Sequence, residues 1–295
     1  MSNPPTDVLM RRILNHLARL DRKVDALADR PRILYATPEE ILVAGPDGLY
    51  LTFPGRELNH AISWTNPDFD RGLRLTLARR LGPGDTYLDI GTNAGAIAAV
   101  AARRVGASGR VITVEPLPDM TAVIRRNLSV NMPLARHDHH EGVIGPVNDN
   151  GTVSFFRHGG DSRVSSLNVQ ASDDRPAAID VPIIALADIW PQGDSPLLVK
   201  IDVEGAEVGV LRQLLDLSES ETDRTIHVIF EFAPEHLARF GDGVGALGGL
   251  LTAHDIAPRR IDPRTAELSP PITALTEADA GNLYFALGAE DGEAT

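Results

Sequence analysis

A chain of 295 residues, 43% of them hydrophobic, can bury a full core, and one large domain or one domain with appendages is the first expectation. The absence of cysteine excludes disulfides, thiolate metal sites and thiol catalysis, and it fits a reducing compartment. A net charge of −13 is the wrong sign for a general nucleic-acid binder. Neither a signal-peptide pattern nor a stretch of membrane-span length is found, so a soluble cytoplasmic protein is expected.

Asp7 can cap a helix that runs to about Arg30, before Pro31. Met10, Ile13, Leu17, Leu20, Val24 and Leu27 recur at spacings of 3 and 4 and form an a/d seam. The seam either packs on its own domain or joins two copies as a short homodimeric coiled coil; both readings stay open. Residues 31–68 predict a small β-rich subdomain. Its strands fall at Ile33–Tyr35, Ile41–Ala44 and Leu49–Leu51, with Gly45-Pro46-Asp47-Gly48 as a hairpin turn. Residues 54–68 are polar and read as irregular.

From Phe69 to about residue 288 helices and strands alternate. A helix at 69–81 precedes a strand at 86–90, a helix at 94–105, a strand at 110–115 and a helix at 118–130. A weak strand at 135–144 and a strand at 151–156 follow. Residues 157–178 are polar and read as a long loop, and such loops are usually functional. Then come a strand at 197–202, a helix from Glu204 to about Leu215, a strand at 225–232, a helix at 243–254, and weaker strands at 258–262 and 282–287. Residues 289–295 are an acidic tail. Alternating elements of this kind predict an α/β, Rossmann-like doubly wound sheet covered by helices.

The chemistry concentrates at three strand ends. Tyr87-Leu88-Asp89-Ile90-Gly91-Thr92-Asn93-Ala94-Gly95 is a strand, a turn with two glycines and the start of a helix. Glu115 ends the next strand, where an acid can hold the two hydroxyls of a ribose. Asp89, Gly91, Asn93, Gly95 and Glu115 therefore predict a nucleoside site. The spacing departs from the dehydrogenase pattern G-x-G-x-x-G. A carboxylate two residues before the first glycine would repel a pyrophosphate and attract an ammonium or sulfonium. S-adenosylmethionine carries both cations on an adenosine.

Lys200-Ile201-Asp202-Val203-Glu204-Gly205-Ala206-Glu207 forms the second cluster. Period 2 along the strand puts Lys200 and Asp202 on one face, at the crevice where such sheets bind ligands. Glu204 and Glu207 are expected in the first turn of the next helix, with Glu207 complementing the helix dipole. Phe230-Glu231-Phe232 ends the neighbouring strand and brings Glu231 towards Asp202. Paired carboxylates there offer a general base, a metal site or a cradle for a sulfonium. His137, His139 and His140 lack zinc-ligand spacing and read as a solvated patch.

These residues resemble the FkbM family of methyltransferases. The resemblance rests on Asp89-Ile-Gly91-Thr-Asn93-Ala-Gly95, Val114-Glu115-Pro116, the Lys200–Glu207 run and Asn282-Leu-Tyr-Phe285, and it covers about residues 70–287. It implies a class I methyltransferase fold, a seven-stranded sheet whose last strand is antiparallel. It also implies O-methylation of a sugar or secondary-metabolite hydroxyl. By position, Asp89, Gly91, Asn93 and Gly95 would hold the methionine part of the cofactor, Glu115 the ribose, and Gly142 and Val143 would border the adenine. Asp70 stands where the family often has a Glu.

Asp202 is the expected base, with Lys200 and Glu231 as its electrostatic partners. Glu204, Arg163 and Ser165 are the expected substrate contacts, the last two on a lid at 157–178. No metal is assigned; Mg²⁺ on Asp202 and Glu231 is the less favoured variant. The alternatives are a nicotinamide-dependent oxidoreductase and a non-catalytic adenosine-binding or scaffold protein.

Overall fold

The computed structural model describes residues 16–17, 30–132, 135–146, 151–157, 167, 177–220 and 224–288. Apart from His16 and Leu17, the predicted N-terminal helix with its apolar seam lies outside the described residues. So do most of the 157–178 loop, including Arg163 and Ser165, and the tail 289–295.

Three antiparallel strands, β1 (Arg32–Ala36), β2 (Glu40–Ala44) and β3 (Tyr50–Pro54), form the expected N-terminal sheet. Pro46–Gly48 make the turn, with Asp47 at φ +58°. Residues 54–68 are not wholly irregular: α1 (Leu58–Ser63) lies there, too short to leave a periodic trace. The helix α2 (Arg71–Arg80) then leads to β4 (Thr86–Ile90), α3 (Ala96–Val105), β5 (Arg110–Glu115) and α4 (Pro118–Asn131). The weak third strand divides at Gly142 into β6 (Arg136–Glu141) and β7 (Val143–Ile144).

β8 (Thr152–Arg157) pairs with β9 (Ala177–Ile184), a strand that the sequence pattern does not predict. Pro182 argues against a strand in sequence. It is tolerated because β7 pairs only with Ile183 and Ile184, so no ladder needs an N–H from residue 182 on that side. After α5 (Leu186–Ile189), also unpredicted, the chain alternates again. It forms β10 (Leu197–Ile201), α6 (Glu207–Ser218), β11 (Ile226–Phe232), α7 (Pro234–Arg239), α8 (Val244–Ala253), β12 (Arg259–Arg260) and β13 (Gly281–Leu287).

The main sheet has seven strands in the order β12-β13-β11-β10-β4-β5-β6. Its own strands therefore run 3-2-1-4-5-7-6. β4, β5, β6, β10 and β11 are mutually parallel, and β13 is antiparallel to β11. An all-parallel dinucleotide-binding sheet would run 3-2-1-4-5-6.

The core has two halves, one on each face of this sheet. One gathers Tyr87, Leu198 and Ile229 with the apolar sides of α2, α3 and α4, and with Ile41, Val43, Leu51 and Phe53 of the N-terminal sheet. The other gathers Leu88, Ile90, Val199 and Ile201 with Val208, Leu211, Leu214 and Leu215 of α6. The β4 run alternates between the halves, as a strand buried on both faces must. The alanines of α3 let that helix sit close to the sheet. The N-terminal sheet is docked by polar contacts as well. Asn127 of α4 takes the Thr52 N–H at 2.7 Å and donates to the Thr52 and Ala94 carbonyls at 2.9 and 2.8 Å. Asn131 does the same for Tyr50.

Candidate active site

Every strand end that carries chemistry opens on one side of the sheet. A cavity of about 300 Å³ lies there, within the size range of small-molecule sites. Gly91, Asn93, Glu115, Gly142, Val143, Asp202, Glu204 and Glu231 line it. Val114, Ile144, Phe155 and Leu167 supply apolar wall.

The turn after β4 is shaped by contact with the turn after β10. Gly91 has φ +83°, and a Cβ there would lie 1.8 Å from the Asp202 carbonyl oxygen. Only glycine lets the two turns meet. The Asp202 N–H closes the contact by donating to the Ile90 carbonyl at 3.0 Å. Asn93 is left-handed at φ +51°, a conformation its short amide tolerates, and its own side chain accepts the Ala94 N–H at 2.7 Å.

Glu115 is buried at the end of β5 and is held by two backbone donors. The Asn93 N–H reaches Oε2 at 2.9 Å and the Leu117 N–H reaches Oε1 at 3.1 Å. Burial pushes its carboxyl up to about 7 against the pull of those bonds. Each oxygen accepts one backbone bond and keeps a lone pair for a ligand hydroxyl. The Gly142 N–H donates to the Glu115 carbonyl at 3.1 Å, which ties the β6–β7 break to the same corner.

Asp89 departs from expectation. It is fully buried and does not line the cavity. Its neighbour in register on β10 is Lys200, whose Nζ lies 3.6 Å from Oδ1. Burial raises its carboxyl and Lys200 opposes the rise. The residue is thus a counter-ion under the site rather than a wall of it, and its sign cannot select the ligand directly. Gly95 likewise lies behind the cavity, against Ile124.

Lys200 also reaches Asp202, at 3.1 Å, as the period-2 reading anticipates. Burial disfavours its charge, but Asp202 and Asp89 outweigh burial and hold the ammonium above its usual range. Glu231 is raised to about 9, by the Asp202 charge first and burial second. At neutral pH it is therefore protonated, while the Asp202 carboxylate, about one-third exposed, faces the cavity beside its ammonium.

Glu204 is not in the helix that follows β10. It sits in the preceding turn at φ +55°, and α6 starts three residues later, at Glu207. Glu207 is buried, and its Oε1 accepts the Val203 and Gly205 N–H groups at 3.1 and 3.2 Å, holding that turn. Gly205, at φ +117°, passes so close to α7 that a Cβ would lie 2.6 Å from the His236 carbonyl oxygen. His236 Nδ1 is thereby set 2.8 Å from Glu204 Oε2. The sequence reading missed His236 because α7 is too short for periodicity. Pro234 directly after an apolar strand was the available signal.

A smaller space of about 120 Å³ adjoins the cavity and shares Phe69, Asp70, Asp202 and Glu231 with it. Gly91 and Asn93 border both spaces as well, and His60, Trp64, Lys200 and Asn282 are among the other residues that line the smaller one. Asp70, a residue of the turn into α2 at φ +49°, borders both spaces. The histidines of β6 are not a solvated patch. His137 and His139 both meet the buried Thr113 hydroxyl at 2.9 Å, and burial lowers each to about 4.

The strand order, the antiparallel β13 and the cavity at the ends of β4, β5, β10 and β11 define a class I methyltransferase fold. The family model described as the Vibrio cholerae RfbT protein matches residues 12–252, and the chain belongs to that family. The FkbM resemblance over about residues 70–287 is not confirmed, since the matched family is a different one. The fold is similar to a methyltransferase from Geobacter sulfurreducens (16% identity, 76% of this chain and 80% of that chain, TM-score 0.41). It is also similar to the O-methyltransferase from Bacillus cereus solved with SAH (15%, 76% and 82%, TM-score 0.41). A third similar structure is TYW2 from Pyrococcus horikoshii in complex with MeSAdo (9%, 90% and 80%, TM-score 0.40). No curated protein matches the chain. Among the described residues no helix is long and apolar enough to cross a membrane.

Proposed function

We propose that this protein is an S-adenosylmethionine-dependent O-methyltransferase acting on a hydroxyl of a sugar or other small metabolite. The observation that carries the reading is the pairing, in one cavity, of a buried ribose-type acid, Glu115, with the ion-paired carboxylate Asp202. The residues present fit the cofactor. Glu115 keeps lone pairs for two ribose hydroxyls, Gly142 and Val143 border an apolar slot for a base, and Gly91 and Asn93 leave backbone at the turn open to the cavity. When bound, the cofactor supplies an electrophilic methyl group on a sulfonium.

The protein's own part is to position and to move a proton. Asp202 takes the acceptor's hydroxyl proton. Lys200 holds Asp202 in place through their 3.1 Å contact, and Glu231, protonated, can donate a hydrogen bond to the same acceptor oxygen. Apolar walls from Phe155, Ile144 and Leu167 keep water from the reacting oxygen. The oxygen specificity draws on the FkbM resemblance, and so does the sugar or metabolite class.

Asp202→Asn should bind S-adenosylhomocysteine within a few-fold of wild type. It should lose roughly 10²–10⁴-fold in turnover, measured by isotope transfer from labelled cofactor to a panel of hydroxyl acceptors. Full turnover in that variant removes the base assignment. The oxidoreductase alternative is disfavoured by the 3-2-1-4-5-7-6 strand order. Calorimetry with S-adenosylhomocysteine and NADH side by side decides between them.

A further inference from the structure

We propose that Glu204, Glu231 and His236 form a binding site for one divalent first-row cation at the acceptor side of the cavity. The three come from three elements: the turn after β10, the end of β11, and α7. One ligand atom from each lies within 4.8 Å of the other two. Two atoms on opposite sides of an ion bound at roughly 2.2 Å would be about 4.4 Å apart, so a small closure brings all three into range.

With Glu231 giving up its proton as the cation binds, the donor set is two carboxylates and an imidazole rather than carboxylates alone. It suits Mn²⁺, Fe²⁺ or Zn²⁺ better than the all-oxygen shell of Mg²⁺. His236 Nδ1 is fully buried and 2.8 Å from Glu204 Oε2, yet the geometry makes no hydrogen bond between them. The imidazole nitrogen and the Glu204 carboxylate thus meet at close range with no hydrogen bond joining the two.

A further buried carboxyl group adjoins the site. Glu207 is 2% exposed, and its Oε2 is buried without a hydrogen bond although Oε1 is fully used against the same turn. That places another carboxyl group against the turn that carries Glu204. The nearest described ammonium, Lys200, is already shared between Asp202 and Asp89.

Glu204 and Glu231 line the cavity together with Asp202, so a ligated hydroxyl oxygen would sit within reach of the base. The cation lowers the pKa of such an oxygen and orients it. This role rests on the methyltransferase reading; the site itself does not.

The test uses the full-length chain, stripped with EDTA and titrated with Mn²⁺ while free Mn²⁺ is followed by electron paramagnetic resonance. One equivalent should bind. His236→Gln and Glu204→Gln should each weaken binding at least about tenfold, while Glu267→Gln, outside the cavity, should not. No binding at millimolar Mn²⁺ overturns the proposal, and so does binding that both ligand variants leave unchanged. If the variants fold poorly, pulsed resonance on the wild type decides. A coordinated ¹⁴N on the bound Mn²⁺ supports the site, and its absence overturns it in favour of a plain His236–Glu204 ion pair. Calorimetry with S-adenosylhomocysteine on the same samples separates the two readings. Cofactor binding without Mn²⁺ binding sinks only the cation, and the reverse sinks only the methyltransferase.

Discussion

Glu115 and Glu231 are carboxyl groups of one cavity with opposite tasks. Glu115 has two backbone donors that oppose its burial, so it is lifted only to about 7 and can accept hydroxyls. Glu231 faces the Asp202 charge and is lifted to about 9, so it holds a proton. Two carboxyls pushed apart in this way separate an acceptor from a donor role. Glu115→Gln keeps the shape and loses the charge-assisted bonds. It should weaken S-adenosylhomocysteine binding about tenfold or more by calorimetry, since a hydrogen bond to a charged group contributes roughly 1.5–3 kcal/mol. An unchanged affinity would remove Glu115 from the cofactor site.

At the scale of elements, the site depends on how closely two turns and one helix approach. Gly91→Ala would put a methyl group 1.8 Å from the Asp202 carbonyl oxygen at a positive φ. A backbone obstacle cannot rotate away, so the expected loss is above about 3 kcal/mol in urea unfolding, or failure to fold. Asn127 is the other joint. Its amide satisfies three backbone groups across β3, α4 and the β4 turn. Asn127→Ala strands them in a buried setting and should cost roughly 2–4 kcal/mol. A cost below about 0.5 kcal/mol would show that the Asn127 bonds do not hold the N-terminal sheet in place.

The whole molecule should show an unusual stability profile against pH. Burial lowers His137 and His139 to about 4 when folded, against 6.5 unfolded. The unfolded chain binds more protons there, so stability rises with pH from about 4 to 6.5. Glu115 and Glu207 work the other way. Each is raised from 4.5 to about 7, so the folded chain binds more protons and stability falls across that window. Glu231 extends the fall to about pH 9. The EDTA-treated protein should therefore melt a few degrees lower at pH 9 than at pH 7; domains of roughly 150–250 residues shift by about 2–4 °C per kcal/mol. Glu231→Gln should flatten that segment. A wild-type melting temperature that does not fall from pH 7 to 9 would show that Glu231 is ionised in the fold.

The chain by itself determined the order of the main-sheet strands from β4 to β13, the longer helices between them and the positions of the strand-end acids. Those depend on local patterns: apolar runs, two glycines in a turn, and period 2 along a strand. Lys200 and Asp202 share a face for that reason alone. Other assignments needed neighbours that are distant in sequence. Asp89 looked like a ligand contact because its place just before the turn was visible and its register pairing with Lys200 on β10 was not. Glu204 looked helical because the close approach of α7 at Gly205, which holds the turn open, is a tertiary contact. His236 and β9 left too short or too Pro-interrupted a trace to read. The meeting of Glu204, Glu231 and His236 was decided only by the packing of three elements, because ligand convergence is a property of distances in space and not of spacing along the chain.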